Sequence, residues 1–302
     1  MASFDLAESG APSRPQVPPR HRSWIKRAGL DRQWLVMAAL AFLAFIVLVA
    51  VFGSLLQPHS HTRQNLLDQF LPPLGFGGEW SYPLGTDDLG RDILSRIIYA
   101  IRISVLIAVA GTAIGSVLGT FLGFVAARAR GLVEEAIMML VDIHLALPFV
   151  IFALAVLAFF GGSFIVLIIV VGIEGWQSYA RLTRGMVLSA QQSGYVTAVR
   201  SLGFSDWHVY GRHVLPNILS ALLVQLTINL PSIILLETSL SFLGIGVQPP
   251  MTSLGQMLGA GRDHLIMAWW ISVIPGAIIF LFSLSACIVG DWLRDRFDPV
   301  LK

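Results

Sequence analysis

Charged residues are scarce in this chain of 302 residues. They make up 13% of the sequence, whereas soluble domains are usually about 25% charged. Hydrophobic residues make up 55%, and the mean hydropathy is +0.74. Such a chain cannot cover itself with polar surface in water, so we expect lipid to be its solvent. The net charge of +2 gives no electrostatic reason to expect nucleic-acid binding.

Residues for catalysis and for metal or nucleotide binding are also missing. The single cysteine, Cys287, excludes an intrachain disulfide framework and a zinc site of several thiolates. Residues Gly85–Asp92 resemble a phosphate loop, but Arg91 replaces its Lys and Asp92 its hydroxyl residue. We therefore expect no catalytic residue, metal or cofactor on this chain. His59 and His61 are two residues apart, which is a weak signal for a metal site, so we expect them to be a flexible external pair.

Apolar runs long enough to cross a bilayer dominate the sequence. A spanning helix needs about 20 mainly apolar residues. Six runs qualify, which predicts an all-α membrane protein with six transmembrane helices. They are Leu35–Leu56, Ile103–Ala127, Val133–Phe160, Ser163–Tyr179, Ile218–Leu243 and Ala268–Gly290. Three residues, Asp142, His144 and Pro148, interrupt the third run, and Glu174 and Gln177 sit near the end of the fourth.

The basic residues predict the orientation, because cytoplasmic flanks collect Lys and Arg. With both termini cytoplasmic, 15 of the 20 Lys and Arg residues lie inside and 5 lie outside. The inner set is Arg14, Arg20, Arg22, Lys26, Arg27, Arg32, Arg128, Arg130, Arg181, Arg184, Arg200, Arg212, Arg294, Arg296 and Lys302; the outer set is Arg63, Arg91, Arg96, Arg102 and Arg262.

This orientation divides the chain into a membrane domain and two tails. Residues 1–34 form a cytoplasmic, Pro-rich, partly disordered tail, 35–290 the transmembrane domain, and 291–302 a second cytoplasmic tail. Within the membrane domain, residues 57–102 form an external segment, and residues 180–217 form the longest cytoplasmic loop.

The cytoplasmic loop has the pattern of two short helices joined at a glycine. Gly203 permits the positive φ of a helix stop, and Ser205 or Asp206 can cap the next helix. Pro216 can begin the following span. Five apolar side chains would be available to a partner: Val196, Val199, Phe204, Trp207 and Tyr210. An amphipathic loop resting on the bilayer is the alternative.

This loop resembles the coupling loop of bacterial ABC-importer permeases, in which Glu-Ala-Ala, three residues, Gly and nine residues precede Ile-x-Leu-Pro. The matching positions here are Thr197, Ala198, Val199, Gly203, His213, Leu215 and Pro216, with Asp206 between them. Thr197, Val199 and His213 depart from the pattern. Residues Tyr82–Asp92 and Ser239–Pro250 resemble segments of dipeptide and oligopeptide permeases, so the resemblance spans about residues 35–298.

The resemblance implies a type I ABC-importer permease in the bacterial inner membrane. The loop would dock on an ATP-hydrolysing subunit, and the implied partners are two such subunits, a second homologous permease and an external solute-binding protein. ATP and Mg would bind on the ATPase partners. Dipeptides, longer peptides, glutathione, opines and nickel chelates all remain open as the solute.

Four glycines form a stripe along the second span. Gly111, Gly115, Gly119 and Gly123 recur every four residues, a spacing that lets helix backbones approach closely. The stripe predicts packing against another span of this chain or of its partner permease, and a homodimer seam is the alternative.

Ionisable residues inside the spans are the candidates for contacting a solute, because each is costly in lipid. Glu237, in the outer half of the fifth span, is the best candidate for lining the pathway, where its carboxylate would suit a peptide amino terminus. A hydrogen bond between helices is the alternative for this residue. With Asp142 and Glu174 it could instead relay protons in a secondary transporter. An intramembrane hydrolase would need a nucleophile–base pair, and none is recognisable.

Overall fold

The computed structural model describes residues 32–297, and for Arg32, Thr197, Ala198, Arg200, Asp206 and Trp207 it describes the backbone only. Residues 1–31 of the predicted tail and residues 298–302 lie outside this range, whereas residues 32–34 of that tail belong to α1. Eleven α-helices form the described part: α1 Arg32–Leu56, α2 Ile93–Ala129, α3 Gly131–Ala146, α4 Phe149–Phe160, α5 Phe164–Ile173, α6 Trp176–Gln191, α7 Gly194–Ser201, α8 Asp206–Val209, α9 Leu215–Phe242, α10 Leu254–Gly261 and α11 Trp270–Phe297. No strand occurs between residues 32 and 297.

Five continuous stretches of helix are long and apolar enough to span a membrane, and a bent pair makes a sixth. The pair is α3 and α4, which the sequence predicts as one interrupted span, Val133–Phe160, and which meet at 93°. The bend lies at Leu147, whose φ of −95° and ψ of 135° are extended. A residue before proline is disfavoured in the helical region, so Pro148 is the cause.

The second and fourth spans exceed their predicted lengths the most. The second begins at Ile93 instead of Ile103, because Asp92 caps it by accepting hydrogen bonds from the backbone of Leu94 and Ser95. The fourth runs through a break after Ile173 and continues to Gln191 as α6. Glu174 is therefore in the middle of this span and not near its end.

The long helix α2 is the centre of the packing. It contacts α1, α5, α6 and α9, while α11 packs against α1, α9 and α10. The main core lies between these helices, and a smaller one lies where α7, α8 and the end of α6 meet the start of α9. Many large apolar side chains on α1, α3 and α4 remain exposed, as suits surfaces that contact lipid or another membrane subunit.

Candidate functional site

The loop between the fourth and fifth spans folds as the predicted pair of short helices joined at Gly203. Gly203 has a φ of +84° and lies between α7 and α8. The backbone N–H of Val209 donates to the carbonyl oxygen of Ser205 at 3.0 Å, which places Ser205 at the N-cap of α8. A Cβ on Gly203 would meet no atom of the described residues within 4 Å, so the turn projects away from the described part of the fold.

The apolar residues of this loop are mostly unavailable to a partner, which corrects the sequence prediction. Val196 is fully buried and Tyr210 is 3% exposed, and Val199 packs partly against the same core. These side chains cover the cytoplasmic ends of α6 and α9. The residues that do project are Leu202, 76% exposed, and Phe204, 47% exposed. Among the described side chains of the predicted set, the exposed apolar surface thus lies at the turn, and the side chain of Trp207 lies outside the described part.

The second short helix is continuous with the fifth span, whereas the sequence predicts a stop before Pro216. A π-helical turn, Tyr210–Val214, joins α8 to α9, and the N–H of Leu215 donates to the carbonyl of Tyr210. Pro216 lies in the first turn of α9, where its missing N–H is tolerated. Motion of the turn at Gly203 would therefore be transmitted directly into a span.

The remaining residues of the motif differ in how far the structure describes them. The backbones of Thr197 and Ala198 lie in α7 and that of Asp206 begins α8, but their side chains lie outside the described part. His213 is half-buried, and its carbonyl oxygen accepts a hydrogen bond from Asn217 Nδ2 at 3.0 Å. Leu215 packs on the smaller core.

The glycine stripe of α2 packs against the fourth span of the same chain. A Cβ on Gly115 would lie 2.8 Å from the carbonyl oxygen of Gly172, and one on Gly123 would lie 2.7 Å from that of Ala180. Gly119 faces Trp176 and Tyr179 as closely, and Gly111 faces Ile233 and Gly172. The seam is internal, so these glycines do not form a homodimer seam.

The motif between Tyr82 and Asp92 joins the ends of three helices, α2, α10 and α11. The carboxylate of Asp87 is buried, pairs with Arg96 of α2 and accepts from Arg91 Nε at 2.6 Å. Arg96 also donates to Thr252 Oγ1, just before α10, at 3.3 Å. Trp270 Nε1 of α11 donates to the carbonyl oxygen of Thr86 at 3.1 Å. The carboxylate of Asp87 is thus used in holding the fold together.

Glu237 is buried inside the protein, and its Oε2 has no hydrogen-bond partner within residues 32–297. Its side chain is 1% exposed, and Oε1 accepts hydrogen bonds of 2.6 Å from Ser241 Oγ and from Ser253 Oγ. Ser253 caps α10, so the carboxylate ties that short external helix to α9. The geometry favours the alternative for Glu237, which is a hydrogen bond between helices.

Comparison with protein families identifies the chain. Residues 115–302 match the model described as binding-protein-dependent transport system inner membrane component. Residues 30–73 match the N-terminal TM domain of oligopeptide transport permease C. The chain belongs to the binding-protein-dependent transport permeases. It is therefore a multi-pass membrane protein and the permease component of an ABC importer.

Several curated permeases are similar over most of their length. The di/tripeptide transport system permease protein DppC of Pseudomonas aeruginosa (strain UCBPP-PA14) is 39% identical, over 88% of each chain. The dipeptide transport system permease protein DppC of Bacillus subtilis (strain 168) is 32% identical, over 98% of this chain and 90% of that protein. The glutathione transport system permease protein GsiD of Pectobacterium atrosepticum is 35% identical, over 90% and 89%.

The fold of the chain is also similar to that of a solved structure. A chain in a structure of inward-facing conformations of the MetNI methionine ABC transporter aligns with a TM-score of 0.51 at 16% identity. The alignment covers 66% of this permease and 96% of that chain. The type I ABC-importer permease architecture expected from the sequence is thus confirmed.

A series of polar contacts between α3 and α6 is the feature of the permease that sequence reasoning missed. From the cytoplasmic end upward it pairs Arg130 with Gln191, Glu134 with Arg184, Asp142 with Arg181, and His144 with Trp176. The distances are 2.8 Å for the first pair, 2.6 Å for the second and 3.3 Å for the last. Because these partners are distant in sequence, only the antiparallel arrangement of the two helices reveals them. We call this set the α3–α6 polar ladder.

The two external histidines are held separately and are not a flexible pair. The backbone N–H of His59 donates to Ser95 Oγ at 3.0 Å, and its ring lies 3.5 Å from the carboxylate of Asp92. His61 stacks on Tyr99 with ring centroids 3.8 Å apart. Burial and the nearby Arg96 lower the pKa of His61, which favours its neutral form.

Proposed function

We propose that this permease forms half of the pathway of an ATP-driven importer for dipeptide-sized peptides. A second homologous permease completes the pathway, and an external binding protein delivers the solute. The support for peptides comes from the similarity to permeases named for dipeptides, tripeptides and glutathione, which extends over about nine-tenths of the chain. ATP and Mg bind on two separate ATPase subunits.

The loop around Gly203 is proposed as the contact with an ATPase subunit. The observation that carries this proposal is the exposed turn at Gly203, continuous through α8 and the π-helical turn with α9. Closure of the ATPases on nucleotide would push the turn and move the span to which it is joined. Thr197, Ala198, Val199, Asp206, His213, Leu215 and Pro216 build and orient the loop. This role requires both termini and the loop to be cytoplasmic in a bacterial inner membrane.

A proton-coupled secondary transporter is the competing function, and uptake experiments separate the two. The permease would be co-expressed with its ATPase, second permease and binding protein, purified, and reconstituted into proteoliposomes. We expect uptake of labelled dialanine to require ATP, to stop with vanadate and to survive a protonophore. Uptake driven by a pH gradient without ATP would contradict the proposal.

A further inference from the structure

Glu174 lies at a break in the middle of a membrane span. The fourth span runs from Phe164 to Gln191, and the helix is interrupted between Ile173 and Trp176. At 1.5 Å per residue, Glu174 is about 15 Å from the outer end of the span, about half of a hydrocarbon core of roughly 30 Å. A carboxylate at this depth is costly in lipid and is expected to face protein or water.

The groups at this break lack the hydrogen bonds that buried polar atoms normally make. Oε2 of Glu174 is buried and has no hydrogen-bond partner within residues 32–297. Asn229 of α9 packs against Gly175, where a Cβ would lie 2.8 Å from its Cγ, and its Nδ2 is also unpaired in the described part. Asn229 is 7% exposed and Gln177, with an unpaired Oε1, is 8% exposed. The break therefore offers both donors and acceptors.

Below the break, the α3–α6 polar ladder carries charge to the surface of the subunit. The side chains of Asp142 and Arg181 pair with each other, yet they are 66% and 51% exposed. By the measure used for Glu174, Arg181 is 17 residues, about 25 Å, from the outer end of the span, near the inner boundary of a hydrocarbon core of roughly 30 Å. Asp142 lies beside it, so the exposed pair is within reach of water at the inner end of the span.

We propose that this polar face lines the inner half of the solute pathway, and that the Glu174 carboxylate contacts the ammonium group of the solute. The proposal rests on the proposed function and deepens it by naming where this subunit meets its cargo. An ammonium group would supply the unpaired carboxylate oxygen with a charge-assisted hydrogen bond. Glu174 takes the role that the sequence alone assigns to Glu237.

The first test is whether water reaches the face. In a Cys287→Ser background, Ser178→Cys places a thiol on α6 one turn before Arg181, and Phe45→Cys places one in the middle of α1 on its exposed side. In inside-out vesicles we expect a charged methanethiosulfonate to modify position 178 at least tenfold faster than position 45. Equal, slow modification would show that lipid or the partner permease covers this face, and would overturn the proposal.

The second test separates contact with the solute from a structural role. Glu174→Gln should slow ATP-driven dialanine uptake at least tenfold, while assembly and ATP hydrolysis persist. Glu174→Asp, which keeps the charge, should restore most of the rate. The matched control is Glu135→Gln, an exposed residue of α3, which should transport as the wild type does.

The outcomes distinguish this inference from the proposed function. Wild-type uptake by the Glu174→Gln complex would overturn the contact at Glu174 and leave the importer intact. Loss of assembly in both Glu174 variants would assign the residue a structural role and also contradict the contact. Absence of ATP-driven uptake in the wild type would overturn both proposals.

Discussion

Gly119 of α2 marks the closest approach between the second and fourth spans. A Cβ there would overlap the carbonyl oxygen of Trp176 and lie 2.7 Å from Cβ of Tyr179. Both obstacles belong to a packed helix and cannot move aside as a flexible side chain would. The absence of a side chain at this position therefore sets the distance between α2 and α6.

A single methyl group at this position should be destabilising. We expect Gly119→Ala to cost about 1–3 kcal/mol, the range for overpacking a tight interior, and to lower the unfolding midpoint in detergent. The matched control is Gly185→Ala in α6, where a Cβ meets no atom of the described residues within 4 Å. That variant should be neutral or slightly stabilising, because Ala favours helix over Gly. Equal midpoints for the two variants would show that the seam is looser than described.

The buried ion pair of Asp87 and Arg96 is a second feature on which the stability of the fold depends at the scale of single residues. Asp87→Asn removes the charge opposite a side chain that is 4% exposed, which should cost about 3–5 kcal/mol. Its neighbour Asp88 is 45% exposed, so Asp88→Asn should be nearly neutral. The measurement is the amount and thermal stability of permease in purified membranes. Similar losses in both variants would contradict a structural role that is specific to Asp87.

The sequence identifies residues whose role depends on local spacing. It does not identify residues whose role depends on partners that are distant in the chain. The four-residue spacing of the glycines predicts a close helix seam without naming the helix across it. Glu237 looks like a pathway residue because it is ionisable and within a span. Only the fold shows that Ser253, in a loop after the span, donates a hydrogen bond to Oε1 of its carboxylate.

At the scale of elements, the turn at Gly203 was predictable because its conformation is encoded locally. The bend at Leu147 was signalled by Pro148, but a proline inside an apolar run is compatible with a straight span as well as a bent one. The length of the fourth span was not predictable from hydropathy. Its cytoplasmic half is rich in polar residues, and α3 supplies partners for Arg181 and Arg184.

The turn at Gly203 should transmit force only while the angle between α7 and α8 is kept. Gly203→Val places a β-branched residue at a φ of +84°, whereas Asn tolerates this region. We expect Gly203→Val to lose at least nine-tenths of ATP-driven uptake, with all spans inserted, and Gly203→Asn to retain more than Gly203→Val. The assay measures subunit stoichiometry, ATP hydrolysis and uptake together in proteoliposomes. Full transport by the Val variant would show that the conformation of the turn is unimportant.

At the scale of the whole molecule, the distribution of basic residues predicts which face is external and which is cytoplasmic. Ser81 lies exposed in the external motif and Ser205 lies exposed in the loop. With Cys287 replaced by Ser, a cysteine at position 81 should react with an impermeant maleimide in intact cells, and one at position 205 should react only after lysis. The reverse pattern would invert the proposed orientation.

The central claim is that the turn at Gly203 is where this permease meets an ATP-hydrolysing subunit. The most direct test uses two permease variants, each with a benzophenone linked to a single introduced cysteine. One cysteine replaces Leu202, which is 76% exposed at the tip of the turn, and the other replaces Ser81 on the opposite face. After illumination of the assembled complex, mass spectrometry identifies the subunit that is attached. We predict that position 202 crosslinks to the ATPase subunit and that position 81 does not. Attachment of the ATPase to position 81, or to neither position, would contradict the account.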